Sequence, residues 1–215
     1  MDVLFDLNGT LLDPGAMTAE WEGAPRGLAL RVLDDAVAQA MVDTMTGEFR
    51  PFAGYIRAAL EHRVGVLGLD PQLAERGAEA AAVLPPYPDA ADAIGRVVLA
   101  GNRPSVLTNT AADAARGALA AAGLRDPLHA VVGADAVGAY KPDPRIYRHA
   151  VDVLAADASQ TWLVAGHWWD VAGAKRAGLR TAWVGRDEVE LLSTTPEPDV
   201  RAAGLVAAVD AIVRG

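Results

Sequence analysis

Short apolar runs bounded by turn residues alternate with longer Ala-rich stretches along most of this chain. The first run, Asp2 to Asp6, is Val-Leu-Phe closed by an acid and followed at once by Asn8-Gly9-Thr10; it predicts a buried strand. Pro104 to Leu107, His129 to Val132, Thr161 to Ala165 and Thr181 to Val184 have the same character. Runs that are mostly apolar, rather than alternating, suit strands buried on both faces of a parallel sheet. Between them, Asp89 to Ala100, Ala111 to Ala122, Pro144 to Leu154 and Val171 to Ala177 carry apolar residues at helical spacing. Strand and helix alternate from residue 89 onward, which indicates a doubly wound α/β core with a parallel sheet.

The stretch from Pro14 to Pro88 departs from that rhythm. Leu30 to Met45, Phe52 to Leu67 and Pro71 to Val83 read as helices, with no strand pattern among them. Pro85-Pro86-Tyr87-Pro88 breaks any helix and marks a hinge or a boundary. The expected organisation is a core of residues 1–13 and 89–215, with a helical cap of residues 14–88 inserted after the first strand. A Pro-rich loop, Ser193 to Asp199, precedes an expected last helix, Val200 to Val213.

Composition narrows the partners. Of the 215 residues, 52% are hydrophobic and 22% charged, enough apolar content for a packed core. Lys and Arg number 19 against 28 Asp and Glu, a net charge of −9 that lacks the basic footprint of a nucleic-acid binder or of a protein held on an anionic membrane. With no cysteine, thiolate metal sites and a cysteine nucleophile are excluded. The N-terminus has no basic, apolar signal pattern, and no run approaches the roughly 20 apolar residues of a membrane span. The expectation is a cytoplasmic protein acting on a small molecule.

Four segments carry candidate chemistry, each at the end of an expected strand. In Asp6-Leu7-Asn8-Gly9-Thr10, a carboxylate at a strand end faces the crevice where open α/β sheets bind ligands, and it can attack carbon or phosphorus. The bland reading is an acid that caps the next turn. Thr108 and Asn109 offer a hydroxyl and an amide that could orient an anion or simply cap the following helix. Lys141, between Tyr140 and Pro142, is presented from a stiff loop; it could hold Asp6 ionised or lie exposed, the usual fate of lysine. In Ala165-Gly166-His167-Trp168-Trp169-Asp170, Asp170 could cap a helix or face Asp6. His167 could orient or deprotonate water, or be a satisfied half-buried histidine. The joint order of the four segments is more specific than any one of them.

FDLNGTLLD, VLTNT, YKPDPRIY and VAGHWWDVAGAKRAGLRTAWVGR together resemble the four motifs of the haloacid dehalogenase (HAD) superfamily. The cap segment from Gln39 to Phe49, with Phe52, resembles that of the type II 2-haloacid dehalogenases. The resemblance implies a Rossmann-like core, a helical cap and often a homodimer. It also implies roles: Asp6 as nucleophile, Thr10 supporting its loop, Thr108 and Asn109 binding substrate carboxylate or leaving group, Lys141 stabilising the nucleophile, and Asp170 holding Lys141. His167 stands where an asparagine is common. Phosphatases of the superfamily carry a second acid where this chain has Asn8, and a magnesium-binding acid where it has Gly166. An amide cannot donate a proton to an alkoxide, and magnesium needs hard oxygen ligands. The expectation is therefore displacement at carbon without a cofactor. A weak magnesium site from Asp6, the Asn8 carbonyl and Asp170 belongs to the alternative, a phosphatase; a second alternative is a catalytically silent binding protein of the same fold. The cap arginine typical of the dehalogenases is missing: the aligned residues are Val32-Leu33-Asp34, with Arg26, Arg31 and Arg50 as other cap cations.

Overall fold

A computed structural model describes residues 1–186 and 190–214. Six parallel strands form one sheet in the order β3-β2-β1-β4-β5-β6. They are β1 (Asp2–Phe5), β2 (Arg103–Thr108), β3 (Ala130–Gly133), β4 (Thr161–Ala165), β5 (Arg180–Val184) and β6 (Val200–Ala202). The chain fills one side of β1 with β2 and β3, then crosses to place β4 on its other side. The crevice beyond the carboxyl ends of β1 and β4 is thus the topological switch point, where ligands bind in open α/β sheets. β1 and β4 are buried at every position, as expected of mostly apolar runs in a central parallel sheet.

Eight α-helices accompany the sheet among the described residues: α1 (Leu28–Thr46), α2 (Phe52–Leu67), α3 (Gln72–Ala81), α4 (Ala90–Leu99), α5 (Ala112–Ala121), α6 (Pro144–Leu154), α7 (Trp168–Arg176) and α8 (Leu205–Arg214). One expectation needs correction. The segment from Val200 does not begin as a helix: Val200–Ala202 pairs with β5 as an edge strand, and α8 starts only at Leu205. Three residues with partly or fully exposed side chains carry no periodic signal, so tertiary pairing with β5 decides their conformation.

The helix that matters most for the site is α6. Pro144 opens it with a preset φ, and the Asp143 side chain accepts the Arg145 N–H at 2.8 Å. Ile146, Tyr147, Ala150 and Leu154 then form one buried face. This firm start fixes the preceding Lys141-Pro142 loop. α7 packs against α6 closely enough to require glycine: a Cβ on Gly173 would lie 2.5 Å from Tyr147 Oη and 2.6 Å from Pro142 Cβ. Gly173→Ala is therefore expected to lower unfolding stability by about 1–3 kcal/mol, read by chemical denaturation. An unchanged midpoint would show that the α6–α7 contact is looser than this.

Helices α1, α2 and α3 all fall between β1 and α4 in the chain, making the helical insertion of this fold. Two linkers join it to the sheet-bearing part, and they are paired with each other: Asp13 N–H donates to Pro85 O at 2.8 Å and Tyr87 N–H to Leu11 O at 2.9 Å. Tyr140, next to Lys141, docks the insertion from the other side. Its ring stacks on Phe49 at 4.8 Å, its N–H donates to Thr44 Oγ1 at 3.1 Å, and its hydroxyl donates to the Arg50 carbonyl. No helix among the described residues is long and apolar enough to cross a membrane.

Candidate active site

β1 ends at Phe5, and the next residue carries the carboxylate that faces the switch point. Asp6 N–H donates to Val164 O at 3.0 Å, fixing its backbone to β4. The chain then turns sharply: Leu11 and Leu12 N–H both donate to Leu7 O at 2.9 Å. Gly9 sits at φ +82°, in the left-handed region, and a Cβ there would lie 2.5 Å from His167 Nε2. Thr10 Oγ1 donates to Asp6 Oδ2 at 2.7 Å and accepts the Gly166 N–H at 2.9 Å, so the turn after β1 and the turn after β4 share one hydroxyl.

Lys141 is fully buried, which overturns the reading of an exposed loop lysine. Its Nζ donates to Asp6 Oδ1 at 2.6 Å, to Asp170 Oδ2 at 2.6 Å and to Leu107 O at 3.1 Å, using all three of its hydrogens. Asp170, also fully buried, lies in the first turn of α7 but does not cap it; its Oδ1 accepts from Tyr147 Oη at 2.6 Å. Asn109 Oδ1 accepts the Lys141 backbone N–H at 2.9 Å, leaving its amide N–H groups as donors. Thr108 Oγ1 accepts the Thr110 N–H at 3.1 Å and keeps its own hydrogen to give. Asn8 donates to Thr110 Oγ1 at 3.3 Å. His167 Nε2 is 3.0 Å from the Asn8 carbonyl and 3.9 Å from Asp6 Oδ2. A carbonyl can only accept, so Nε2 carries the hydrogen of this contact. Trp169 stacks on the imidazole at 5.1 Å and 10°.

The electrostatics follow from these contacts. Burial alone would raise the Asp6 pKa, but the Lys141 charge, then His167 and the two hydrogen bonds, outweigh it and hold the carboxyl below its ordinary 3.8. Burial works against Lys141 as well, and the two carboxylates overcome it and hold the ammonium above its ordinary 10.5. Asp170 goes the other way, raised by burial and by the Asp6 charge against the pull of Lys141. Tyr147 is pushed well up by burial and by Asp170, so it remains a donor.

A small cavity of about 10 Å³ lies over this centre, walled by Asp6, Thr108, Asn109, His167 and Trp169 together with Leu33, Val37 and Phe52 of the insertion. That is room for about one water. None of its walls is an arginine: Arg26 and Arg31 are exposed elsewhere, and Arg50 pairs with Asp43 at 3.5 Å. Asp34, in the stretch aligned with the cap arginine of the dehalogenases, is exposed on α1, yet partial burial of its carboxyl raises its pKa against the opposing pull of His167. All eight residues singled out in the sequence thus come together around Asp6. Sequence reasoning gave no role to Tyr147, although it lies in the YKPDPRIY segment. Its place on the apolar face of α6 looks like ordinary core, and only the packing of α6 on α7 brings its hydroxyl to Asp170.

A strand-end carboxylate kept ionised beside a buried lysine is the apparatus of a hydrolase with an aspartate nucleophile. The model for the haloacid dehalogenase-like hydrolase family matches residues 3–178, and the chain belongs to that family. It is 33% identical over 198 residues to the (S)-2-haloacid dehalogenase of Xanthobacter autotrophicus, covering 89% of this chain and 77% of that protein. It is 34% identical over 187 residues to the phosphoglycolate phosphatase of Rhodospirillum rubrum, covering 82% of this chain and 76% of that one. Among solved structures, the L-2-haloacid dehalogenase from Xanthobacter autotrophicus with chloropropionic acid covalently bound superposes with a TM-score of 0.88 at 26% identity, covering 100% of this chain and 98% of that chain.

Proposed function

We propose that this enzyme hydrolyses the carbon–halogen bond of 2-haloacids in two steps and needs no metal. An Asp6 carboxylate oxygen attacks the halogen-bearing carbon, and the bonding pair leaves with the halide. Water then adds to the Asp6 carbonyl carbon and gives one proton to solvent. Collapse breaks the bond between that carbon and the substrate oxygen, which takes the water's second proton and leaves as the 2-hydroxy acid, with the Asp6 carboxylate restored. The charge that develops on the ester carbonyl oxygen meets Lys141 if that oxygen is Oδ1, or Thr10 and His167 if it is Oδ2. In this proposal the Asn109 amide and the Thr108 hydroxyl receive the substrate carboxylate or halide, replacing a cap arginine by neutral donors. Asp170 and Tyr147 position Lys141. His167 orients the loop and the attacking water. Residues 14–88 act as the cap over a core of residues 1–13 and 89–215, of which 187–189 and 215 lie outside the described residues.

The observation that carries the metal-free reading is the occupancy of the oxygen donors. Asp6 and Asp170 share Lys141 between them, Asp6 Oδ2 holds Thr10, Asp170 Oδ1 holds Tyr147, and the Asn8 carbonyl accepts from His167. These are the groups a magnesium ion of the phosphatase alternative would have to recruit, in competition with the donors already bonded to them and with only two carboxylates among them. Among the described residues, no group of three or more His, Asp or Glu side chains is placed to hold a metal. Halide release from chloro-, bromo- and fluoroacetate and 2-chloropropionate, measured with EDTA, tests the proposal. Activity that EDTA leaves intact is expected. Activity on phosphate esters only, and only with magnesium, would replace this reading by the phosphatase one.

A further inference from the structure

A second cavity adjoins the reacting one. It measures about 480 Å³ and is walled on one side by Ile56 of α2 with Ala78 and Ala81 of α3, and on the other by Ala118 of α5. Asn8, Leu33 and Phe52 border both cavities, so one side chain's thickness separates this space from Asp6. Its size is that of a small-molecule site, while the reacting cavity has room for about one water. No haloacid fits whole into a cavity of that size, so part of any substrate must lie beyond it, and this is the space next to it.

The chemistry of the walls selects the substituent. Polar side chains are few and already engaged. The Asn8 amide is bonded to Thr110 at 3.3 Å, and Arg57, at the rim and part-exposed, is bidentate to Glu75. A charged or polar tail would give up water for walls that offer little in return, whereas methylenes gain from leaving water. Alanines on α3 and α5 keep the walls apart, and Arg57 marks where the space meets solvent.

We propose that this cavity is a subsite for an unbranched alkyl chain, so that the enzyme prefers medium-chain 2-haloalkanoic acids to haloacetate. The inference rests on the dehalogenase reading and names its substrate class. Each methylene placed there improves kcat/KM by about fourfold until the chain reaches the rim.

Bromide release from 2-bromoacetate, 2-bromobutanoate, 2-bromohexanoate and 2-bromooctanoate tests it. The expected result is kcat/KM rising along the series in the native enzyme. In Ala81→Phe, or in Ala118→Phe from the opposite wall, the ratio for 2-bromooctanoate over 2-bromoacetate drops at least tenfold. A flat or falling series in the native enzyme overturns the subsite even if both variants fail to fold. Should no acid release bromide, the dehalogenase reading fails, and octanoate binding by calorimetry then decides the subsite alone. Binding that weakens in Ala81→Phe or Ala118→Phe sustains it, and no binding to the native protein ends it.

Discussion

Asp6→Asn is expected to abolish halide release, by roughly 10⁴-fold or more, while leaving the protein folded. An amide is nearly isosteric with the carboxylate, and its one oxygen can still accept from Lys141, but its NH2 cannot accept from Thr10 and it lacks the charge that attacks carbon. The same role predicts where oxygen travels. In a single turnover in H₂¹⁸O with enzyme in excess, water attacks the Asp6 carbonyl carbon, so the label enters Asp6 and the first product carries unlabelled oxygen. Mass spectrometry of the peptide containing Asp6 reads this directly. Label found in the hydroxy acid instead would mean that water attacks the substrate carbon, with Asp6 acting as a base. The low pKa of Asp6 adds a pH dependence: the nucleophile stays ionised from neutrality down past its ordinary 3.8, so the acid limb of kcat/KM should not fall at the usual carboxylate value.

Lys141→Met is expected to be the most damaging of these substitutions for stability, and to lower activity as well. It leaves Asp6 and Asp170 buried, close together and without a counter-charge, a change that typically costs about 3–5 kcal/mol. Activity should fall about 100-fold or more, as for removal of one preorganised charge-stabilising donor. The sign of the pH dependence distinguishes this cause from a mere packing defect. In the native protein, the depressed Asp6 pKa contributes stability that is present above its unfolded value and lost as pH falls through the folded one. The raised Lys141 pKa contributes stability that is present below 10.5 and lost as pH rises through its folded value. Asp170, raised, works against Asp6 at the acid end. In Lys141→Met, burial and mutual repulsion remain, and both raise carboxyl pKa values. The folded state then binds a proton that the unfolded state does not, and stability should rise as pH is lowered from 7 towards 5. A variant whose stability is flat over that range, measured by urea denaturation, would show that the carboxylates are not the source of the loss.

The sequence by itself determined the strand–helix order up to β5, the run of helices after the first strand and the identity of the charged residues at the site. Short, mostly apolar runs bounded by turn residues suit strands buried on both faces of a parallel sheet, and acids, lysine and glycine at their ends leave a signal that does not depend on packing. Periodicity also located α2 and α6 to the residue, because Pro51 precedes one, Gly68 ends it, and Asp143 with Pro144 starts the other. What the tertiary structure alone decided are the pairings between distant segments. Lys141 and Asp6 are 135 residues apart in the chain, and no local rule says that a loop lysine will be buried against two carboxylates. Tyr147 looks like core until α6 packs on α7. Val200–Ala202 is a strand only because β5 offers an open edge, and His167 faces the Asn8 carbonyl only because β1 and β4 are neighbours at the switch point. Local propensity acts over a turn or a strand, whereas these contacts arise from the global arrangement of the sheet, which brings together ends that the sequence keeps apart.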